Sequence, residues 1–176
     1  AKAGRVVMTV DCTSLLNQRH IDPEAKDEGL MCTFPTEGCL TFDDVIIRPP
    51  AGEPTAPVAS VPGTTDTKVV QPGATLIVTY GTGVAEALRA QSKLAREGIL
   101  VYVVDTPCLS QVPSGLEAVL QNADAVLFAD VCKEGAHPYA TTVTRLQNSG
   151  ALPKRWKCIA SAPTYNPLGT LLTFLN

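Results

Sequence analysis

Gly81-Thr82-Gly83 sits directly behind the β-rich apolar run Leu76–Tyr80 and directly ahead of a helical pattern. A strand, a glycine turn and a helix N-terminus together make an anion or nucleotide site, because the first backbone N–H groups of a helix have no internal partners. Asp105 ends the next apolar run, a little beyond the ~20-residue spacing of a ribose-binding acid. The third position of this dinucleotide fingerprint is Glu86. Glycine or alanine belongs there, where helix and strand pack closely, and a glutamate in the first turn repels pyrophosphate. The simpler reading is a tight βα turn at Gly81 and Gly83, with Asp105 closing a strand. Asp130, Lys133 and His137 bring an acid, a lysine and an imidazole into one loop behind a third apolar run. In an open α/β sheet such a loop faces either solvent or a partner.

Other chemistry finds less support. Cys108 follows Pro107 at the end of a strand-like run, but no neighbouring base or cation is placed to lower its pKa, so it reads as a buried structural thiol. His20 and His137 are the only histidines, and neither has a partner at zinc-ligand spacing. No Walker sequence and no Gly-x-Ser-x-Gly elbow occurs. The residues themselves therefore offer no catalytic, cofactor-binding or metal-binding set. Gly81, Thr82, Gly83, Asp105, Asp130, Lys133 and His137 stand as loops facing a partner or a substrate channel.

These residues are positioned by a regular second half. Leu76–Tyr80, Ile99–Val104, Ala125–Ala129 and Lys157–Ala160 read as buried strands. Val84–Glu97 is an amphipathic helix, with Val84, Ala87, Leu88, Leu94 and Ala95 on one face, Thr82 as its N-cap and Gly98 as its stop. A short helix is expected near Ser114–Gln121 and a longer one over Tyr139–Asn148, with Gly150 behind it. Strands and helices that alternate, with nearly continuous apolar strands, predict a mostly parallel sheet covered on both faces. The fold class is thus α/β, a three-layer α/β/α domain with about five strands over residues 73–176.

Residues 1–72 follow a different grammar. Gly4–Val10 reads as one buried strand, and six charged residues lie between Arg19 and Glu28. Pro35, Pro49, Pro50, Pro54, Pro57 and Pro62 then forbid a long helix and restrict central strands. Val45-Ile46-Ile47 is a candidate short strand inside this extended, proline-rich arm. The organisation read from these patterns is 1–16 as the end of a preceding domain, 17–72 as a linker arm and 73–176 as the α/β domain.

Bulk properties close several classes. An apolar fraction of 45% describes a globular chain, and a net charge of −3 without a basic run gives no reason to expect nucleic acid. No apolar stretch approaches the roughly 20 residues that span a bilayer. Six irregularly spaced cysteines without a C-x-x-C pair read as free thiols in a reducing compartment. The opening at Ala1, without a signal-peptide pattern, reads as an excised or processed fragment. The apolar residues of the arm and the run Leu171-Leu172-Thr173-Phe174-Leu175 point to a sticky surface. The expected state is a homodimer or larger assembly, with the arm, the last five residues, or both buried between chains.

Pro72–Leu88 resembles the opening of the transketolase C-terminal domain, and Leu94–Asp105 resembles its next segment. Within that superfamily the likeness is to the beta subunit, or beta-like half, of thiamine-dependent 2-oxo acid dehydrogenases. Thr164-Tyr165-Asn166-Pro167-Leu168 resembles a segment near that subunit's C-terminus, and Gly4–Val10 resembles the last strand of its pyrimidine-binding domain. The sequence departs from the family at Ala129-Asp130, where an imidazole often precedes the acid, at Gly135-Ala136 in place of two glycines, and at Ala160-Ser161, where an acid is often found. The resemblance implies a non-catalytic assembly domain in a parent that binds thiamine diphosphate and Mg, decarboxylates a 2-oxo acid and passes the acyl group to a lipoyl carrier. No Gly-Asp-Gly magnesium motif occurs in this sequence, so no cofactor is expected here. Implied partners are a second copy or an alpha subunit, and the lipoyl acyltransferase. The implied location is intracellular, in the mitochondrial matrix or bacterial cytoplasm. A transketolase-type enzyme domain, a free-standing nucleotide-binding α/β protein and a pure interaction domain remain the competing readings.

Overall fold

The apolar runs of the second half are too continuous for strands with one wet face, and the fold buries Ala74–Thr79 and Tyr102–Asp105 nearly throughout, whereas Arg155–Ser161, expected as a buried strand over Lys157–Ala160, lies at the sheet edge and has no buried residue. The structure is a computed structural model that describes residues 6, 8–10, 40–50, 58–60, 70–135 and 137–163, with the backbone alone at 58–60. The whole charged segment from Arg19 to Glu28 with His20, three residues of Gly4–Val10, Ala136, the Thr164–Leu168 segment, the 171–175 run and Cys12, Cys32 and Cys39 lie outside the described residues.

In chain order the elements are β1 (Val45–Arg48), β2 (Val58–Ser60), β3 (Ala74–Thr79), α1 (Thr82–Arg96), β4 (Tyr102–Asp105), α2 (Ser114–Leu120), β5 (Ala123–Lys133), α3 (Tyr139–Ser149) and β6 (Arg155–Ser161). They build one six-stranded sheet in the order β2-β1-β4-β3-β5-β6. The four strands β4, β3, β5 and β6 run parallel, with Leu76 opposite both Tyr102 and Val126, and Val126 opposite Trp156. β1 joins antiparallel beside β4, with Ile47 opposite Val104, and β2 joins antiparallel beside β1. The proline-rich arm thus adds two strands to the sheet. Val45 and Ile47 are buried in it, and Pro49 and Pro50 follow the last residue of β1, where a missing N–H breaks no ladder bond.

Side chains alternate across each strand, so each face has its own core. On one face Leu76, Val78, Val104 and Phe128 pack with Leu116 and Val119 of α2 and with Tyr139, Val143 and Leu146 of α3. The buried positions of α3 repeat at three and four residues, which is one stripe of a helix. On the other face Ile77, Val101 and Val103 meet Ala87 of α1, with Leu88 and Leu94 at the edge. Each fully buried Leu or Phe contributes about 1.5–3 kcal/mol of transfer free energy.

Three local expectations shift. Gly81, not Thr82, occupies the N-cap of α1, at φ 54° and ψ −128°, and no side chain caps the helix. That backbone geometry is open only to glycine, so the turn is one residue tighter than the Thr82 cap requires. Gly98, at φ 78°, does stop the helix: its N–H bonds Ala95 O at 3.0 Å and the N–H of Ile99 bonds Leu94 O at 2.9 Å. The following strand begins only at Tyr102, and Ile99 and Leu100 are 46% and 57% exposed. The Gly98 reversal leaves them outside the sheet. The most buried polar residue of α1 is Gln91, on the face read as apolar. Its Nε2 donates to Val101 O and Pro49 O, both at 2.9 Å, and so clamps the end of β1 to the start of β4.

Candidate functional site at the carboxyl ends of the parallel strands

The βα turn places Gly81, Thr82 and Gly83 over the carboxyl end of β3. A Cβ on Gly83 would collide with Thr79 Oγ1 and would sit 2.8 Å from Val131 Cγ1. The missing side chain therefore admits the neighbouring strands, not a ligand. Thr79 is fully buried and donates its hydroxyl to Ala129 O at 2.8 Å, which ties β3 to β5 at this point. Glu86 reaches Arg89 one turn further along the exposed face of α1.

Asp105 ends β4 opposite Thr79 and Ile46. Burial raises its pKa to about 6, and the nearby Arg48 guanidinium offsets part of that shift. It lies on the β1 side of the sheet and, among the described residues, makes no hydrogen bond to the Asp130 loop, although its charge reaches Tyr139 of that network.

Asp130 and His137, seven residues apart, do come together. Asp130 is buried, and its two oxygens are both occupied. Oδ1 accepts the Tyr80 hydroxyl at 2.5 Å and the Cys132 N–H at 2.8 Å. Oδ2 accepts the Tyr139 N–H at 2.9 Å and lies 3.2 Å from His137 Nδ1. The Tyr80 ring meets the Tyr139 ring edge-on, with centroids 5.1 Å apart. The Tyr139 hydroxyl is 2.5 Å from Thr106 Oγ1, and that hydroxyl donates in turn to Thr79 O. Desolvation pushes both tyrosine hydroxyls well above their ordinary pKa, with Asp130 adding to the effect. Neither phenol can serve as a base near neutral pH. Lys133 is exposed at the end of β5, outside this cluster.

The network is a hub that fixes the β5–α3 loop. Its members Tyr80, Thr106 and Tyr139 escape sequence reading, because each sits in or beside an apolar run and counts there as core. Cys108, Cys132 and Cys158 are free thiols, and burial followed by the Asp130 charge raises the Cys158 pKa. Among the described residues no group of three or more His, Cys, Asp or Glu side chains could hold a metal ion. Thiamine diphosphate with Mg does not fit the described residues either: no acid cluster is present, the Gly83 space is filled by protein, and Glu86 lines the groove beside the α1 N-terminus. No helix among the described residues is long and apolar enough to cross a membrane.

Between α1 and the β5–β6 face runs a groove of about 400 Å³. Ile77, Leu127, Ala129 and Ile159 form its floor, and Ala87 and Ala90 form its helical wall.

The chain is similar over part of its length to a split-gene transketolase in an inactive beta4 tetramer, at 20% identity and TM-score 0.48, covering 60% of this chain and 35% of that one. It is also similar to a 2-oxoglutarate:ferredoxin oxidoreductase from Magnetococcus marinus, at 16% identity and TM-score 0.40, covering 52% of this chain and 15% of that one. It thus spans about a third of the first protein's chain and less of the second. No curated protein matches it. Residues 66–169 match the family described as "Transketolase, C-terminal domain". That stretch is more than half of the chain and holds β3 to β6 with the three helices among the described residues, so the chain belongs to the transketolase C-terminal domain family.

Proposed function

We propose that this chain is the non-catalytic C-terminal assembly domain of a thiamine-dependent 2-oxo acid dehydrogenase. The parent enzyme decarboxylates a 2-oxo acid and passes the acyl group to a lipoyl carrier, in the mitochondrial matrix or bacterial cytoplasm. Residues 1–16 end a pyrimidine-binding-type domain, 17–72 form the arm between domains and 73–176 the assembly domain. Thiamine diphosphate and Mg are held by other parts of the parent. Partners are a second copy or an alpha subunit, and the lipoyl acyltransferase.

The observation that carries the assembly role is the exposure of Val6, Met8 and Val10, at 101%, 85% and 75%. An apolar, β-prone segment that finds no cover on its own domain needs cover from another domain or chain. Leu40 and Phe42, at the start of the described arm, are exposed as well. The saturated Asp130 hub fits the same reading, since a carboxyl group with both oxygens taken positions a loop and does not attack a substrate.

Two measurements test this. Calorimetric titration of the chain with thiamine diphosphate and Mg is expected to give no heat of binding, and tight, magnesium-dependent binding refutes the role. Sedimentation velocity at micromolar concentration is expected to show a dimer or larger species. Replacing Val6, Met8 and Val10 together by serine should shift it toward monomer. A clean monomer before any substitution sinks the assembly role.

A further inference from the structure

The sheet ends on two unlike edges. β2 closes one side with three residues, Val58–Ser60, whereas β6 runs for seven along the other, Arg155–Ser161. Among the described residues no strand pairs with the outer side of β6. An edge strand turns a row of backbone N–H and C=O groups away from its neighbour, and that row is a template for one more strand. Along β6 it is about 23 Å long.

The side chains along this edge decide which strand fits. Register with β5 sets their faces: Arg155 lies opposite Ala125 and Lys157 opposite Leu127 on the α1 side, and Trp156 lies opposite Val126 on the α3 side. Lys154, Arg155 and Lys157 are exposed, and Trp156 and Ile159 keep 40% and 44% of their surface. Asp124 Oδ2 stands 3.9 Å from Arg155 Nη2, with both side chains mostly in solvent, and a pair of that kind contributes little. Lys154 and Lys157 have no ion-pair partner among the described residues. A second copy of β6 is a poor match for this edge, because it would gather the same cations twice along one seam. The charges that keep out a second copy admit a strand of opposite sign.

We propose that β6 is a docking edge for an acidic, extended peptide segment of another protein, which joins the sheet as a further strand. Alternate carboxylates of that segment face Arg155 and Lys157 on the α1 side. The apolar side chains between them lie beside Trp156 on the α3 side. Main-chain hydrogen bonds supply affinity in this mode, and the alternation of side chains supplies specificity. The proposal goes beyond the assembly role, which rests on Val6, Met8 and Val10 and on a different surface.

The full chain tests this with labelled peptides as long as β6, read by fluorescence anisotropy. A peptide that alternates Glu and Val should bind, and added salt should weaken it by screening the charges. The same peptide with Lys in place of Glu should not bind. A block peptide, with its Glu residues first and its Val residues last, should bind about tenfold more weakly or worse, since it cannot match both faces at once. Hydrogen exchange over residues 155–161 should slow when the alternating peptide binds. Arg155→Glu with Lys157→Glu should weaken that peptide about tenfold or more. The same variant should bind the Lys peptide instead, a gain that an unfolded protein does not show. The proposal is overturned if the alternating Glu peptide fails to bind, or if the Lys or block peptide binds the parent equally well. It is equally overturned if exchange over 155–161 is unchanged, or if the double variant keeps the parent's preference.

Discussion

Gly83→Ala isolates the tightest contact of the βα turn. The new Cβ would overlap Thr79 Oγ1 and press on Val131 Cγ1 at 2.8 Å. Thr79 has no exposed surface and spends its hydroxyl on Ala129 O at 2.8 Å, so it cannot swing away without breaking that bond. Overpacking of this kind costs about 1–3 kcal/mol, and the broken bond adds about 1 kcal/mol. Replacing glycine by alanine inside a helix returns up to about 1 kcal/mol. The net expectation is a destabilisation of about 1–3 kcal/mol, read by urea denaturation with circular dichroism. Removing the colliding hydroxyl with Thr79→Ala should lower the cost of Gly83→Ala by about 1–2 kcal/mol in the double variant. Gly98→Ala is the control: no atom lies within 4 Å, and at φ 78° only backbone strain of about 1–2 kcal/mol remains. A Gly83→Ala protein as stable as the parent, or equal costs with and without the Thr79 hydroxyl, would refute the reasoning. It would also reopen Gly83 as a place where a ligand approaches the backbone.

Asp105 predicts a pH dependence. Its pKa of about 6 in the folded chain exceeds the unfolded value of 3.8, so the folded state holds the proton more tightly. Its contribution to stability is full below about pH 4 and is lost as pH rises to about 6, amounting to about 1–2 kcal/mol once partial solvent exposure is allowed for. Asp105→Asn should flatten that slope in denaturation curves taken across pH 4–7. Asp130→Ala takes the acceptor from the buried Tyr139 N–H and the part-buried Cys132 N–H and leaves the Tyr80 hydroxyl with Cys132 Sγ alone at 3.3 Å, and should cost about 3–5 kcal/mol. Tyr80→Phe, which removes one bond to the same carboxyl group, should cost about 1–3 kcal/mol by the same denaturation assay. Gln91→Leu leaves the carbonyls of Pro49 and Val101 without their donor, at about 1–3 kcal/mol. Hydrogen exchange should then quicken in β1 more than in β5, and equal protection in both variants would deny the clamp.

The class of fold was legible in the pattern of residues 73–176, since continuous apolar strands alternating with amphipathic helices admit few arrangements. Strand and helix cores were placed within a few residues for the same reason. So was the stop at Gly98, where a left-handed residue ends a helix whatever surrounds it. Tertiary structure alone decided the rest. It turned the Val45-Ile46-Ile47 candidate into a strand between β2 and β4, because antiparallel pairing with β4, more than fifty positions away, leaves no local trace. It buried Gln91 on an apolar helix face, where two distant carbonyls satisfy the amide. It drew Tyr80, Thr106, Asp130, His137 and Tyr139 into one network, since residues from three strand ends meet only when the sheet exists. Local sequence carries periodicity and backbone preference, so it determined which elements form. Which polar groups share a site depends on strand order and register, and those are set by long-range pairing.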